Sequence, residues 1–268
     1  MANEMPELPD VENFKKYMNS TSLHKQISSV EVKSSKILES ISSGELKKHL
    51  KGKKFKSTKR YGKNLFAKTS NKEWLRMHFG MTGFLKYYKD ESEAPGHTRL
   101  LINFSNGYHL AYDCSRKLGK IDIVDNIDSF IEKKKLGADP LEDNLSSKRF
   151  KKLISKRTGT VKSFLMNQKI IAGIGNVYSD EILFQAGIHP ASLLNKLKKA
   201  DIKNLYKKMN TVLKKAISAN ADPEKLGSKY LLPNRENETM CPKCSGKIKK
   251  KTIAGRSSYF CSKHQKKK

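Results

Sequence analysis

Four residues near the end of the chain have the types and spacing of a metal site. They follow the pattern Cys241-x2-Cys244-x16-Cys261-x2-His264. Two ligand pairs at these separations are typical of zinc ribbons and fingers, and a site made only of protein ligands is structural. The alternative, four unpaired residues on a basic tail, would make the paired spacing a coincidence. The sequence therefore predicts one structural Zn2+ that holds a hairpin, Lys247–Phe260, with Arg256 at its basic tip.

A second stretch has the composition of a phosphate-binding turn. Gly173 and Gly175 follow an apolar run, and Asn176 stands where the next helix could begin. Backbone amides exposed in such a turn can bind a phosphate. Because Gly-x-Gly at a helix start is common in many folds, this stretch is weak evidence on its own.

The opening stretch is acidic, whereas the chain has 55 Lys+Arg against 26 Asp+Glu. Four carboxylates fall close together there: Glu4, Glu7, Asp10 and Glu12. Pro9 suits a first helical turn, and Asp10 favours the positive end of a helix. A helix that begins at Pro9 is therefore expected, but it gives no reason for the adjacent Pro6 and Glu7.

The net charge of +29 and the pI of about 9.9 indicate a polyanionic partner, with nucleic acid as the first candidate. An acidic membrane surface is the competitor. No apolar run approaches the roughly 18 residues of a spanning helix, and the acidic start is unlike a signal peptide. We therefore expect an intracellular protein, cytoplasmic or nucleoid-associated, that is neither secreted nor held in a membrane.

The elements that must position these residues change in type along the chain. The first half predicts short strands: Ile27–Lys33, Lys54–Lys59, Leu65–Thr69, Trp74–Phe79, Phe84–Tyr88, Leu100–Phe104, Tyr108–Asp113 and Lys120–Val124. With the hairpin turn at Ser105–Gly107 and an N-terminal helix, they are typical of a β-sandwich. Helix-stopping residues concentrate from Leu136 to Leu141, where we place the domain boundary. Beyond Ser146 the pattern is helical, with a long amphipathic segment from Ile202 to Ile217.

Several motifs, taken in order, resemble those of the formamidopyrimidine-DNA glycosylase and endonuclease VIII family. They run from Met5 almost to the end of the chain: Pro6-Glu7-Leu8-Pro9-Asp10-Val11-Glu12, Gly62-Lys63-Asn64-Leu65, His78-Phe79-Gly80-Met81-Thr82-Gly83, Arg116-Lys117-Leu118-Gly119, the Gly173–Glu181 turn, Gly187-Ile188-His189-Pro190 and the zinc hairpin. The resemblance implies an α+β fold with a catalytic β-sandwich domain, a helix-two-turn-helix domain and a zinc finger. We place these at residues 1–136, 151–234 and 235–268, with a hinge at 137–150.

The resemblance also implies a base-excision repair enzyme. It would remove oxidised bases (formamidopyrimidine, 8-oxoguanine or oxidised pyrimidines) from duplex DNA and then cleave the abasic site by β,δ-elimination, acting as a monomer. Its nucleophile would be the secondary amine of Pro6, freed by removal of the preceding residues. An α-amine titrates about 2 units below a lysine, so much of it is unprotonated at neutral pH. Glu7 resembles the family's acid/base carboxylate, whose pKa its surroundings must raise; Lys63 resembles a lysine that meets the DNA backbone and assists the chemistry.

Further residues match positions that grip damaged DNA in the family. A flipped base leaves a gap in the duplex, and three residues resemble those that fill it: Met81, Arg116 and Leu118. The expected backbone contacts are Lys162, Asn176 and Arg256, of which Arg256 is also placed with the catalytic residues. Glu181 resembles a buried helical carboxylate that supports the site, although an ordinary helix-cap role would also explain it.

The chain departs from the family at four places. His264 stands where the family often has a cysteine, and Leu118 replaces an aromatic residue. The segment Ala219–Met240 looks shorter than the loop that covers an oxidised purine in the bacterial enzymes, so the lesion range is expected to shift toward oxidised pyrimidines or to broaden. Finally, Met1–Glu4 precede the family's start at Met5. If Met1–Met5 were retained, Pro6 would lack a free amine, and the alternative is a non-catalytic protein that binds damaged DNA or RNA.

Overall fold

The computed structural model describes residues 5–142, 145–155 and 157–268, so Met1–Glu4 lie outside the described residues. The chain forms two compact units. The first contains Asp10–Lys135 together with Met5 and Pro6, and the second contains Leu136–Lys268 together with Glu7–Pro9. The mixed α+β class expected from the sequence is confirmed.

The first unit is a sandwich of two antiparallel sheets. Its elements are α1 (Leu8–Thr21, from Asp10 onward in this unit), β1 (Ile27–Val32), α2 (Ser43–Leu50), β2 (Phe55–Tyr61), β3 (Asn64–Thr69), β4 (Trp74–His78), β5 (Gly83–Tyr88), β6 (Thr98–Phe104), β7 (His109–Cys114), β8 (Lys120–Val124) and α3 (Ile127–Lys133). One sheet has the order β1-β6-β7-β5 and the other β2-β3-β4-β8. All eight predicted strands are present, with ends that differ by at most two residues.

The core of the first unit lies between its sheets. Leu65 pairs with Met77, and Met77 pairs with Ile121, so buried side chains from three neighbouring strands are aligned on one face. Val11 and Met18 of α1 join the same core at helical spacing. Burial of each such side chain contributes roughly 1.5–3 kcal/mol. Because a shift by one residue would expose these side chains, their burial fixes the register of the strands and so the positions of the turns between them.

The second unit is built around one buried helix. Its helices are α4 (Ser147–Ser155), α5 (Val161–Met166), α6 (Asn176–Ala186) and α7 (Lys199–Ser218). Every residue of α6 from Tyr178 to Phe184 is buried, which is typical of a central helix. Gly187 ends α6 in the left-handed conformation, with φ of 68°. A polar residue in the middle of α6 must therefore find its partners inside the protein.

The chain ends in a hairpin formed by β9 (Lys249–Ile253) and β10 (Arg256–Phe260). Ala254 and Gly255 both have positive φ, 53° and 71°, as a two-residue turn of this kind requires. A small cluster of buried residues lies beneath the hairpin: Phe184, Leu231, Cys241, Ile248 and Cys261. The segment before it, Ala219–Met240, contains two short 3-10 turns. No helix in the described part of the chain has the length and apolar character needed to cross a bilayer.

Candidate active site and nucleic-acid interface

The carboxylate of Glu7 is bound by the main chain at the start of α6. Its Oε2 accepts hydrogen bonds from the amides of Gly175 at 2.5 Å and Tyr178 at 3.3 Å, and its Oε1 accepts one from Val177 at 2.8 Å. The side chain is 2% exposed. Because the N-terminal end of a helix carries partial positive charge and unpaired amides, it stabilises this negative charge. Glu7 occupies these three amides, so they do not bind the phosphate that such a turn could hold.

The turn before α6 is shaped to present those amides. Gly173 has φ of 106°, a conformation that favours glycine. Gln168 braces the turn by accepting from the amide of Gly173 at 2.8 Å and donating to the carbonyl of Ile174 at 2.6 Å. The amide of Leu8 donates to the carbonyl of Gly173 at 3.0 Å, so main-chain contacts fix the segment that carries Glu7. The sequence stretch predicted this turn and helix start but not the role of Gln168.

Asn176 begins α6, as the sequence predicted. Among the described residues, no donor lies within hydrogen-bonding distance of its buried side-chain Oδ1. This Oδ1 is an acceptor, so the group of Asn176 that suits a phosphate oxygen is the Nδ2 donor of the same side chain.

Lys162 lies in the interior of the second unit, where its side chain is 0% exposed. Its Nζ donates to Asp180 Oδ1 at 2.5 Å, to Ser258 Oγ at 2.7 Å and to the carbonyl of Ser257 at 3.3 Å. Burial lowers the pKa of Lys162, opposed by the charge of Asp180. The ammonium that was expected to contact the DNA backbone is therefore held inside the second unit, where it has three acceptors.

Asp180 connects the central helix to the C-terminal hairpin. Besides Lys162, its carboxylate accepts from Arg235 Nη2 at 3.0 Å and from the amide of Tyr259 at 3.1 Å. The guanidinium of Arg235 also lies over the Tyr259 ring, 4.5 Å from its centroid. Burial raises the pKa of Asp180 in spite of these cations. Asp180 was not singled out from the sequence, although it directly precedes Glu181 in the same motif.

Glu181 is buried in α6 and holds the segment before the hairpin. Its Oε2 accepts from the amide of Leu232 at 2.8 Å, and its Oε1 accepts from Gln185 Nε2 at 2.8 Å. Burial raises the pKa of Glu181 to about 7, against the lowering effect of these hydrogen bonds. The buried carboxylate expected from the sequence is present, and the contact it makes is to the chain near Leu232.

Arg256 is exposed at the tip of the hairpin. The next residues of β10 are anchored, since Ser258 is bonded to Lys162 and Tyr259 to Asp180. The buried polar cluster therefore fixes the strand on which Arg256 is presented to solvent.

Three of the four predicted metal ligands lie together. The sulfur atoms of Cys241, Cys244 and Cys261 are all within 4.8 Å of one another, and the Cys244–Cys261 pair is 3.6 Å apart. Zn–S bonds of about 2.3 Å place tetrahedral sulfurs about 3.8 Å apart, so the thiols fit a metal ion. The amide of Gly246 lies 3.4 Å from Cys244 Sγ, and a Cβ at Gly246 would lie 2.8 Å from Cys261 Sγ. This glycine leaves room for the sulfur cluster.

His264 is not brought into the sulfur cluster. Its Nε2 donates instead to the carbonyl of Phe184 at 2.9 Å, and its ring packs against the Phe184 ring. This hydrogen bond leaves the lone pair on Nδ1, which is the arrangement of a histidine that binds metal through Nδ1. A shift of the ring would be needed to bring that atom among the sulfurs.

Lys63 lies in the tight turn between β2 and β3. Tyr61 pairs with Asn64, so the turn contains Gly62 and Lys63 alone. The side chain of Lys63 is 9% exposed, and its Nζ is 3.7 Å from Met5 Sδ. Within the first unit, the structure thus places the predicted lysine beside the residue that precedes Pro6.

The expected intercalating residues lie on two adjoining turns of the first unit. Met81 is in the β4–β5 turn, and Arg116 and Leu118 are in the β7–β8 turn. A Cβ at Gly80 would lie 2.5 Å from the main chain of Leu118, which measures how closely the turns pack. Leu118 is 50% exposed and Arg116 is exposed, whereas Met81 is half-buried. An exposed apolar side chain beside an arginine is suited to inserting into a stacked duplex.

Sequence reasoning missed two arginines and a histidine around the Lys63 turn. Arg60 and Arg76 are 6% and 5% exposed, and His78 pairs with Asn64 across the sheet. Burial, then the charges of Arg76 and Lys63, lower the pKa of His78 to about 4, so its ring is neutral at pH 7. The available signal was a charged residue, Arg76, inside an otherwise apolar strand.

The chain thus combines a two-sheet sandwich unit, a unit with a central buried helix, and a hairpin beside clustered cysteines. Residues 5–121 match the formamidopyrimidine-DNA glycosylase N-terminal domain, and residues 136–226 match the formamidopyrimidine-DNA glycosylase H2TH domain. The chain belongs to the formamidopyrimidine-DNA glycosylase family.

Relatives match over nearly the whole chain. Formamidopyrimidine-DNA glycosylase of Pelotomaculum thermopropionicum is 34% identical, with 98% of this chain and 99% of that protein covered. The Mycoplasma genitalium enzyme is 32% identical, with 98% and 96% covered. The structure of Lactococcus lactis Fpg with DNA that contains an abasic site has a TM-score of 0.89 at 29% identity, covering 97% of this chain and 100% of that one. A complex of the same protein with DNA that contains FAPY-dG has a TM-score of 0.88 at 29% identity, with the same coverage.

Proposed function

We propose that this chain is a bifunctional base-excision repair enzyme that removes oxidised bases from duplex DNA and cleaves the resulting abasic site. The observation that carries the proposal is the docking of Glu7 on the amides of α6, directly after Pro6, in a chain with 34% identity to a formamidopyrimidine-DNA glycosylase. Because main-chain amides bind the Glu7 carboxylate, its position next to Pro6 does not depend on exposed side chains.

The proposed nucleophile is the amine of Pro6 after the residues before it are removed. Its lone pair attacks C1′ of the damaged nucleotide, and the base leaves with the bonding electrons and a proton. The sugar ring then opens as the C1′–O4′ bond breaks and O4′ takes a proton, which leaves an iminium between Pro6 and C1′. Loss of a proton from C2′ into this iminium expels the 3′ phosphate, and loss of a proton from C4′ in a second elimination expels the 5′ phosphate. Glu7 exchanges protons with the sugar, and Lys63 contacts the DNA backbone.

The DNA contacts follow from exposure and chemistry. Arg256 at the hairpin tip and Asn176 at the start of α6 are the proposed phosphate contacts of the second unit. Met81, Arg116 and Leu118 of the first unit are the proposed wedge. Glu181 acts indirectly, through the chain at Leu232. Because Leu118 is aliphatic and exposed, it selects less strictly for the opposite base than a stacked aromatic ring would, which favours a broad lesion range. We propose a monomer that acts on genomic DNA inside the cell.

One zinc ion is proposed to bind Cys241, Cys244 and Cys261, with His264 as the fourth ligand through Nδ1. Bound zinc would add to the small buried cluster beneath the hairpin and keep Arg256 in place. The test is metal content and the visible spectrum after cobalt substitution, for the full chain and for H264A. A three-sulfur, one-nitrogen spectrum that changes in H264A is expected; an unchanged spectrum would remove His264 from the ligand set.

The activity is tested by borohydride trapping on duplexes with an abasic site, 8-oxoguanine or an oxidised pyrimidine. Two proteins are compared, one that begins at Pro6 and one that retains Met1–Met5, each with its first residue verified by intact mass. The protein that begins at Pro6 should form a covalent adduct, and the longer one should not.

The variant E7Q, made in the protein that begins at Pro6, distinguishes base removal from cleavage of the abasic site. Loss of a positioned acid/base group should slow base removal by about 10²–10⁴-fold. If neither protein traps DNA, the enzyme proposal fails and the non-catalytic DNA-binding or RNA-binding alternative replaces it. Equal trapping with Met1–Met5 attached would exclude Pro6 and direct attention to Lys63.

A further inference from the structure

Arg60 forms a hydrogen bond to the turn that carries Lys63, on the N-terminal side of that lysine. The Nη1 of Arg60 donates to the carbonyl of Gly62 at 3.1 Å, and its Nε donates to Glu12 Oε2 at 2.9 Å. Glu12 belongs to α1 and is further paired with Lys15 at 2.6 Å. This contact fixes the main chain immediately before Lys63.

Arg76 grips the other side of the same turn. Its Nε donates to Asn64 Oδ1 at 3.0 Å, and Asn64 Nδ2 donates to the carbonyl of Tyr61 at 3.4 Å. Asn64 thereby links Arg76 to both ends of the two-residue turn, whose register is set by the Tyr61–Asn64 pair. Lys63 is held between two residues whose positions are each fixed by an arginine.

The guanidinium of Arg76 is itself held in place. Its Nη1 pairs with Glu39, whose other oxygen accepts from Lys134 at 2.6 Å. The guanidinium carbon lies 4.7 Å from the centroid of the Phe130 ring. Partial burial tends to raise the pKa of Glu39, but Lys134 and Arg76 outweigh it, and the pKa is lowered. The guanidinium of Arg76 therefore bonds Glu39 through Nη1 and Asn64 through Nε.

A purely structural role does not explain a buried arginine in β4. Its neighbours Leu75 and Met77 are apolar and buried. Buried ion pairs are often no more stable than well-packed apolar side chains of similar volume, so stability alone would favour another apolar residue here. What an apolar residue cannot supply is a directed donor for Asn64.

We propose that Arg76 is a positioning residue for Lys63 that acts through Asn64. The inference rests on the role of Lys63 in the proposed function. In this arrangement Arg76 touches neither DNA nor the reacting atoms, and it sets the direction in which the Lys63 turn presents its ammonium group.

The test is single-turnover cleavage of a duplex with an abasic site, in the protein that begins at Pro6. R76M should lower the rate constant by about ten- to a hundredfold, because small displacements of an assisting group have effects of this size. R76K keeps the charge but not the planar fork, so it should be about as slow as R76M. The Kd for the same duplex should change by less than about threefold. The control L110A, a core change in β7, should lose stability without this loss of rate.

A double-mutant cycle with K63A decides between positioning and general damage. If Arg76 acts through Lys63, R76M should change the rate of K63A by less than about twofold. An equal loss in both backgrounds, or full activity in R76M, would overturn the proposal.

A measurement without DNA separates this inference from the function it rests on. In R76M the amides of Lys63 and Asn64 should exchange with solvent faster, while that of Ala67 in the middle of β3 should not. Faster exchange in a protein that never traps DNA would mean that the proposed function fails while the positioning contact stands. Unchanged exchange at Lys63 and Asn64 would overturn the contact itself.

Discussion

Lys63 in the first unit and Glu7 in the second are held by different kinds of partner. The turn of Lys63 is fixed by side chains, Arg60 and Arg76, each neutralised by a glutamate. Glu7 is fixed by three backbone amides at the start of α6. The side-chain hydrogen bonds from Arg60 and Arg76 can be removed by single substitutions. The backbone hydrogen bonds to Glu7 persist as long as α6 is folded. Charge placement in the first unit should therefore be easier to alter than in the second.

The largest expected effect on stability comes from a substitution in the buried polar cluster of the second unit, formed by Lys162, Asp180 and Arg235. K162M removes the cation closest to Asp180 and should lower the free energy of unfolding by about 3–5 kcal/mol, because a buried charge loses its pair. Urea denaturation followed by far-UV circular dichroism measures the change, with exposed K152M as the control. Replacing both partners, in K162M/D180L, should not recover the loss, because Arg235 and the amide of Tyr259 would then lose their acceptor. A change below about 1 kcal/mol in K162M would show that Arg235 alone suffices.

The second unit should also lose stability as Glu181 ionises. Its pKa is raised from 4.5 to about 7 by burial, so its contribution is complete below about pH 4.5 and is lost as the pH rises through about 7. The shift corresponds to about 3 kcal/mol. In E181Q that loss should be absent, so the difference in unfolding free energy between variant and wild type should change by most of this amount from pH 5 to pH 8. A constant difference would exclude ionisation of Glu181 in this range.

The first unit should respond to pH in the opposite direction through His78. Its pKa is lowered from 6.5 to about 4, so its contribution is present above about pH 6.5 and is lost as the pH falls through about 4. We expect an effect on the order of 2 kcal/mol, less than the full shift gives, because the ring is only partly buried. H78N retains an acceptor for the amide of Gly80 and should lack this dependence. Fluorescence of Trp74, the single tryptophan, reports unfolding of this unit.

The smallest expected effect is at the outer end of the Arg76 network. K134M breaks an exposed pair with Glu39 and should lower the free energy of unfolding by less than about 1 kcal/mol. Because exposed pairs are screened, the difference from wild type should vanish at high salt. A larger loss that does not depend on salt would show that Lys134 helps to hold the Lys63 turn. The first unit would then depend on an unscreened ion pair, as the second unit does.

The parts of the fold that local pattern determines were predicted from the sequence. The eight strands and the start of α6 follow from alternating apolar residues, turn residues and helix caps, which act over a few positions. The close approach of three cysteines followed from their spacing. Lys162 was expected to contact the DNA backbone, and its burial could not be predicted because it depends on Ser258, which is 96 residues away along the chain. The partners of Arg76 are likewise distant in sequence, so no local pattern could identify them.

The amide clamp on Glu7 has a consequence for how DNA affinity should vary with ionic strength. Three amides at the start of α6 are already occupied by a carboxylate of the same chain, so they are not the donors that replace counterions on a phosphate. The slope of affinity against salt counts the phosphates neutralised by Lys and Arg. For this protein that slope should therefore report exposed side-chain cations such as Arg256, with little contribution from the helix end.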